Sequence, residues 1–209
     1  MRAKIVEWDR RVVWRVYRIQ NAYITRFLKI VSHVGSTPFW ILVGLGCYIP
    51  GLILWFGFPI YRDLASTLLN FCSQLFTAFF ISGCVLIPIK YSVYRQRPYQ
   101  KYGDILSRDY YVTDPSFPSG HCAQWILYGW VAAVYLVGDW YIYLVVATLP
   151  LIMLSRIHLG CHFPSDTLVG AVLGALIIGL VDLLTPMFNA WFSWASAGVR
   201  FWFHQLFGV

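Results

Sequence analysis

Residues 64–89 read LASTLLNFCSQLFTAFFISGCVLIPI, and these 26 positions between Asp63 and Lys90 contain no Asp, Glu, Lys or Arg. A bilayer core about 30 Å thick needs about 20 predominantly apolar residues in helical form, so this stretch is long enough to cross one. Similar gaps lie on both sides of it. There are 32 uncharged residues between Lys29 and Arg62, 24 between Asp114 and Asp139, and 16 between Asp139 and Arg156. They predict membrane spans at 39–60, 64–89, 120–137, 140–156 and 166–184. The fourth is short and can recruit Val137 and Gly138, and the fifth carries Asp182 near its end, where a charge costs least. Pro50 and Pro88 are tolerable where neighbouring helices satisfy the freed backbone carbonyls.

Composition agrees. Of 209 residues, 59% are apolar, 19% aromatic and only 12% charged. A soluble domain of this size lacks the volume to hide so much apolar surface. Disordered chains are poor in aromatics and rich in charge, so disorder is excluded. Five cysteines are too few for a disulfide-stapled scaffold and are read as packing residues, including Cys122 and Cys161 beside the histidines discussed below. The expectation is one all-α domain over 1–209, a polytopic transmembrane helix bundle of five spans.

The two ends differ from the middle. Eight of the sixteen Lys and Arg fall between Arg2 and Lys29. Arg11, Arg15, Arg18, Arg26 and Lys29 recur at helical spacing on one face, with Val13, Val16, Tyr17, Ile24, Phe27 and Val31 on another. This predicts a basic amphipathic helix over 5–33, lying in the membrane interface and attracted to anionic lipid. Residues 1–34 are thus expected to serve attachment, and no uninterrupted apolar run marks them as a cleavable signal. The tail over 186–209 repeats the pattern more weakly. Asn189, Ser193, Ser196, Arg200 and His204 form one polar stripe, which fits an interfacial helix or a sixth span.

Three polar clusters stand at span ends. The first, KYSVYRQRP, runs from Lys90 to Pro98. Seven residues separate Lys90 from Arg97, two turns on one helical face, and two fixed cations suit a multiply charged oxyanion. The second, PSGH, is Pro118 to His121. Ser119 and Gly120 fall in the first turn of the third span, where free N–H groups bind anions, and His121 adds a titratable group. The third, SRIHLGCHFPSD, is Ser155 to Asp166. Arg156 ends the fourth span, and Asp166 follows His162 by four residues. Its carboxylate is expected to hydrogen-bond one imidazole nitrogen and leave the other as nucleophile or base.

A metal reading fails on spacing. His158, His162 and Asp166 would align only on a continuous helix, which Gly160 and Pro164 interrupt. His158 is read as an interfacial or supporting residue, and His33 and His204 as interfacial. Between the first two clusters, the polar stretch to Asp114 also holds Arg95, Lys101, Asp104, Arg108 and Asp109. Its length suggests function rather than mere connection. Span order then puts all three clusters on one side of the membrane.

The ordered pattern K-x6-RP, PSGH, SR-x5-H-x3-D resembles the type-2 phosphatidic acid phosphatase superfamily, over residues 90–98, 118–121 and 155–166. Soluble acid phosphatases and vanadium haloperoxidases share it, but the composition argues for the membrane branch. The resemblance implies a lipid phosphate phosphatase with His162 as nucleophile, Asp166 orienting it, and His121 protonating the leaving oxygen. Lys90, Arg97, Ser119, Gly120 and Arg156 would cradle the phosphate. It implies no metal and no cofactor, and no nucleic-acid partner is expected. A lipid phosphotransferase would use the same first half-reaction. A degenerate non-enzymatic relative would usually lack a catalytic group, and none is missing.

The expected location is the cell (inner) membrane. The charge bias over 1–108 places the site toward the cytoplasm by the positive-inside rule. The family resemblance points to the outer face instead. Neither the lipid head group nor the oligomeric state is legible.

Overall fold

The computed structural model describes residues 2–109 and 113–207, with side chains described for 3–109 and 113–190. The chain forms helices α1 (Arg2–Tyr17), α2 (Ala22–Val34), α3 (Thr37–Gly57), α4 (Arg62–Val93), α5 (Pro98–Lys101), α6 (Gly120–Ala132), α7 (Tyr141–His158) and α8 (Pro164–Phe207). Among the described residues there is no β-strand.

Four segments are long and apolar enough to cross a membrane: Thr37–Gly57, Pro59–Lys101, Tyr141–His158 and Pro164–Ala190. They contain the first, second, fourth and fifth predicted spans almost entirely. The third predicted span, 120–137, is not among these four; it corresponds to α6 and a π-helical turn over Ala133–Val137. Alone, α6 has 13 residues, and it lies among α3, α4, α7 and α8.

Apolar side chains at i, i+4 spacing face outward. Ile41, Leu45, Ile49 and Ile53 line one exposed stripe on α3, and Leu168, Val172, Leu176 and Leu180 line another on α8. A soluble helix would turn such a stripe inward, whereas a bilayer is its natural partner. The core is built from Trp40, Phe71, Leu75, Trp125, Leu127, Tyr128 and Ile177. Trp40 packs against Trp125 and Tyr128, with ring centroids 6.2 and 5.8 Å away.

Small residues set how closely α6 and α8 approach. A Cβ on Gly170 would come within 2.4 Å of the Ser119 carbonyl oxygen, and one on Gly174 within 2.5 Å of that of Ala123. This Gly-x3-Gly contact lets backbones meet where lipid removes the hydrophobic drive for association. It also presses the start of α6, which carries PSGH, against the start of α8.

Two terminal expectations change. The predicted single helix over 5–33 is broken at 18–21, where the Asn21 carboxamide oxygen accepts from the N–H groups of Tyr23 and Ile24 and starts α2. An Asn N-cap of this kind outcompetes helix continuation. At the other end, no break occurs at Pro186, and α8 runs on for 44 residues. At 1.5 Å per residue that is about 66 Å, more than one crossing of a core about 30 Å thick. The stripe read from Ser193 to His204 lies outside the described side chains.

Candidate active site

The site forms where α4 and α7 end and α6 and α8 begin. Tyr94 closes α4 in the left-handed region at φ 42°, so the chain turns back and Arg97 stands in extended backbone before α5. Lys90 and Arg97 therefore do not share a helical face, contrary to the spacing argument. The reversal brings them together: Lys90 Nζ donates to Asp114 Oδ2 at 2.7 Å and Arg97 Nη2 to Asp114 Oδ1 at 2.8 Å. Asp114 is partly exposed, and its pairing outweighs its burial. Burial alone would raise its pKa, but the bond from Lys90 and the charge of Arg97 hold it below the usual carboxylate value.

His162 is 1% exposed. Its Nδ1 lies 2.7 Å from the Ser116 carbonyl oxygen. A carbonyl only accepts, so the proton sits on Nδ1 and Nε2 carries the lone pair. Arg97 Nη1 stands 3.2 Å from that Nε2. Burial, followed by the charges of Arg97, Arg156 and Lys90, pushes the His162 pKa well below its ordinary value. An unprotonated Nε2 is what a nucleophile requires, once Arg97 releases it.

Asp166 does not bond His162 directly, which corrects the expected carboxylate–imidazole pair. Its Oδ2 lies 3.8 Å from Nδ1, beyond hydrogen-bond reach. Oδ2 instead accepts from the Ser116 hydroxyl and the Phe163 N–H, and Oδ1 accepts from Arg95 Nη1 at 2.6 Å. Asp166 thus acts on His162 through Ser116, whose hydroxyl it holds and whose carbonyl takes the imidazole proton.

Ser119 is the N-cap of α6, but its hydroxyl makes no capping bond, and its N–H is spent on the Asp166 carbonyl at 3.0 Å. Gly120 opens the helix behind it. Half-buried His121 lies near enough to Arg156, His162, Arg97 and Lys90 to feel all four. Arg156 is held by Ser32 of α2 and by Asp109 at 2.8 Å. Its Nε is buried with no acceptor among the described residues, and an unpaired buried donor costs about 1–3 kcal/mol. All eight residues read from the sequence thus lie in one region, where α4 and α7 end and α6 and α8 begin.

Several partners escaped the sequence reading. Arg95, inside the first motif, bridges Asp9 of α1 and Asp166 at 2.6 Å each, and its guanidinium lies 4.1 Å over the Phe163 ring. Asp9, Ser32, Asp109, Asp114 and Ser116 complete the network. One signal for Asp9 was present: it stands one turn before Val13 on the apolar face of α1, and both are buried.

His158 is fully buried rather than interfacial. Its Nε2 bonds Thr25 Oγ1 at 2.9 Å and meets Arg108 at 3.0 Å, which ties α2 and the long loop to the end of α7. Among the described residues no three His, Cys, Asp or Glu side chains gather as a metal site. The five cysteines are free.

A sequence profile described as PAP2 superfamily matches residues 71–190. The chain belongs to the PAP2 superfamily. It is 37% identical over 107 residues to a decaprenylphosphoryl-5-phosphoribose phosphatase of Mycobacterium tuberculosis, a match covering 49% of this chain and 55% of that protein. The chain therefore spans about half the length of that relative. Among solved structures it resembles a transmembrane PAP2-type phosphatidylglycerolphosphate phosphatase from Bacillus subtilis, at TM-score 0.67 and 19% identity over 88% of this chain and 87% of that one. It also resembles Aquifex aeolicus LpxE, at TM-score 0.56 and 22% identity over 83% and 93%. These likenesses show the fold, and with the apolar helices they make this PAP2 protein a multi-pass integral membrane protein.

Proposed function

We propose that this protein removes a terminal phosphate from a membrane lipid phosphate or pyrophosphate by way of a phosphohistidine on His162, without a metal. The observation that carries the reading is the setting of His162: buried, its Nδ1 2.7 Å from the Ser116 carbonyl and its Nε2 3.2 Å from Arg97 Nη1, with the charges of Arg97, Arg156 and Lys90 pushing its pKa down. Phosphoryl transfer asks mainly for positioning and charge stabilisation, and three cations supply both. The unpaired Nε of Arg156 gives an incoming phosphate oxygen a donor to satisfy.

The steps follow from the contacts. The phosphate displaces Asp114 from Lys90 and Arg97, and Asp109 from Arg156. Arg97 moves from Nε2 to a phosphate oxygen. Nε2 then bonds to phosphorus as the phosphorus–lipid oxygen bond breaks, and His121 gives the leaving oxygen its proton. The phosphorylated ring is cationic, which the Ser116 carbonyl and the nearby Asp166 stabilise. Water, deprotonated by His121, cleaves the phosphorus–nitrogen bond and releases phosphate.

A lipid substrate fits the surroundings. An apolar cleft of about 980 Å³ lies between α3 and α4, lined by Trp40, Leu45, Tyr48, Leu69 and Phe76. At its Thr37 end, the threonine hydroxyl donates to Gln124 at 2.9 Å, one turn from His121. The mycobacterial relative's name makes a polyprenyl-linked pentose 5-phosphate a natural member of the test panel. Arg10, Arg11 and Arg15 of α1 and Arg18 just beyond it surround a surface hollow with Trp14 and one acid, Asp104, and this basic excess supports contact with anionic lipid. The bias of basic residues toward the site end supports the cytoplasmic face.

The deciding experiment is phosphate release by purified protein in detergent. The panel holds phosphatidate, phosphatidylglycerophosphate, polyprenyl phosphates, a polyprenyl-linked pentose 5-phosphate and a lipid A phosphate, with and without a strong chelator and with no acceptor lipid. Release that survives chelation, with acid-labile label on His162, is expected. Transfer only when an acceptor is added would make the enzyme a phosphotransferase. Loss on chelation with rescue by zinc or magnesium would end the metal-free reading. Labelling of a cysteine placed at Tyr102 in a cysteine-free variant by an impermeant thiol reagent on intact cells would put the site outside.

A further inference from the structure

Helix α1 looks from its sequence like a basic membrane collar, and its Arg10, Arg11 and Arg15 are exposed. Asp9 is the exception at 1% exposure. Its Oδ1 accepts from the Ser165 N–H at 2.9 Å, and its Oδ2 from the Ser165 hydroxyl at 2.6 Å and from Arg95 Nη2 at 2.6 Å. The Ser165 N–H is one of the free donors at the start of α8, so Asp9 performs an N-cap's task from another helix.

The other arm of the Arg95 fork reaches Asp166 Oδ1 and the Ser165 hydroxyl. Asp166 holds the Ser116 hydroxyl, and the Ser116 carbonyl accepts the proton of His162 Nδ1. An unbroken line of bonds therefore runs from α1 to the ring: Asp9, Arg95, Asp166, Ser116, His162. Arg95 is planar and forked and serves two carboxylates at fixed angles, which a Lys ammonium would not do. Val13, one turn further along α1, packs with Ile105, Ile157 and Phe163 and keeps this line dry.

The geometry points to Asp9 as a positioning residue of the phosphoryl transfer. It fixes Arg95 and the first turn of α8, and through them the orientation of His162. The inference rests on the reading of His162 as the nucleophile.

The test uses full-length protein in detergent, with p-nitrophenyl phosphate as a soluble substrate and kcat and KM taken per folded, monodisperse molecule. Asp9→Asn is expected to lower kcat about ten-fold or more while KM stays within about two-fold, the scale on which supporting partners of reactive groups act. Glu7→Gln, which breaks only the exposed pairs with Arg10 and Arg11, is expected to leave both constants unchanged. In an Arg95→Gln background, Asp9→Asn should cost little more, because the link is already cut. A wild-type kcat in Asp9→Asn would overturn the inference, as would full additivity with Arg95→Gln. A merely structural Asp9 would lower yield and Tm and leave kcat per folded molecule intact. Should Asp9→Asn not fold, Arg95→Lys carries the test, and an unchanged kcat there overturns the proposal. If the wild-type enzyme releases no phosphate from aryl or lipid phosphates, the phosphatase reading itself falls. An active wild type beside a fully active Asp9→Asn removes only the role given to Asp9.

Discussion

The cations at this site fall into two regions with opposite designs. On the loop side, Lys90, Arg97 and Arg156 are paired with Asp114 and Asp109, and Asp114 is partly open to solvent. On the α1 side, Arg95 is paired with Asp9 and Asp166, both of which are sealed from solvent. An exposed pair is worth little and exchanges readily, whereas breaking a buried one leaves an uncompensated charge. Asp114, 38% exposed, is thus suited to give way to a phosphate, whereas Asp9 and Asp166, at 1% and 0%, are suited to hold still while it does. Arg95 and Arg97 are two residues apart in the same motif and serve these different ends.

The largest effect should come from the ring that the fixed region positions. His162→Ala is expected to lower kcat by about a thousand-fold or more, as loss of a nucleophile does in comparable enzymes. His121→Ala should cost far less on an aryl phosphate, whose leaving group needs no proton, than on an alkyl lipid phosphate. Equal losses on both substrates would remove the acid role from His121. Because burial and the neighbouring cations push the His162 pKa down, its ring takes up a proton only at a lower pH than an ordinary histidine. The acid limb of kcat/KM should therefore lie below the value of an ordinary histidine, and a limb above 6.5 would contradict the neutral-ring account.

The two arginines break the comparison most directly. Arg97→Gln should raise KM and lower kcat together, about a hundred-fold in kcat/KM, because it removes a phosphate ligand. Arg95→Gln should fall almost wholly on kcat, by about ten- to a hundred-fold, since Arg95 acts through other groups. The same split for both variants would mean that the two regions are one. Away from the charges, Leu45→Trp fills the apolar cleft. It should raise KM for a lipid phosphate about five-fold and leave p-nitrophenyl phosphate hydrolysis untouched. An equal loss on both substrates would detach the cleft from lipid binding.

How much of this was legible follows from where each signal lies along the chain. The spans were readable because charge-free runs are local, and the three motifs because their residues sit within a few positions of one another. The break at Asn21 also had a local cause, an N-cap, but the run of spaced arginines drew the reading across it. Asp9–Arg95 and Asp9–Ser165 join residues 86 and 156 positions apart, and no periodicity encodes such a partner. Asp9 also sits in a run of basic residues, where one acid reads as a surface ion pair. Asp166 was expected to hydrogen-bond His162 directly, and it does not. The i, i+4 spacing suggests direct contact, but Pro164 begins α8 between the two and leaves them 3.8 Å apart. Asp109 and Asp114 lay in a loop whose polarity marked it as functional without saying what its acids do.

Asp114 offers the smallest effect and the one of opposite sign. In the free enzyme its two oxygens bind Lys90 and Arg97, the donors a phosphate would need, so substrate must compete with it. Asp114→Asn removes the charge and keeps the size. The expected result is a fall in KM of about two- to five-fold, with tighter inhibition by inorganic phosphate, while kcat holds. Stability should move the other way. The Asp114 pKa is lowered in the folded protein, so its contribution is present above the unfolded carboxylate value near 3.9 and is lost as pH falls below it. Because the side chain is 38% exposed, that contribution is at most about 1 kcal/mol. The Asn variant should therefore have a slightly lower Tm at pH 7, and the gap should close as pH falls below the unfolded carboxylate value and through the lower folded one. A raised KM in Asp114→Asn would show that the carboxylate organises the cradle instead of filling it, and the loop-side region would then be as fixed as the one around Arg95.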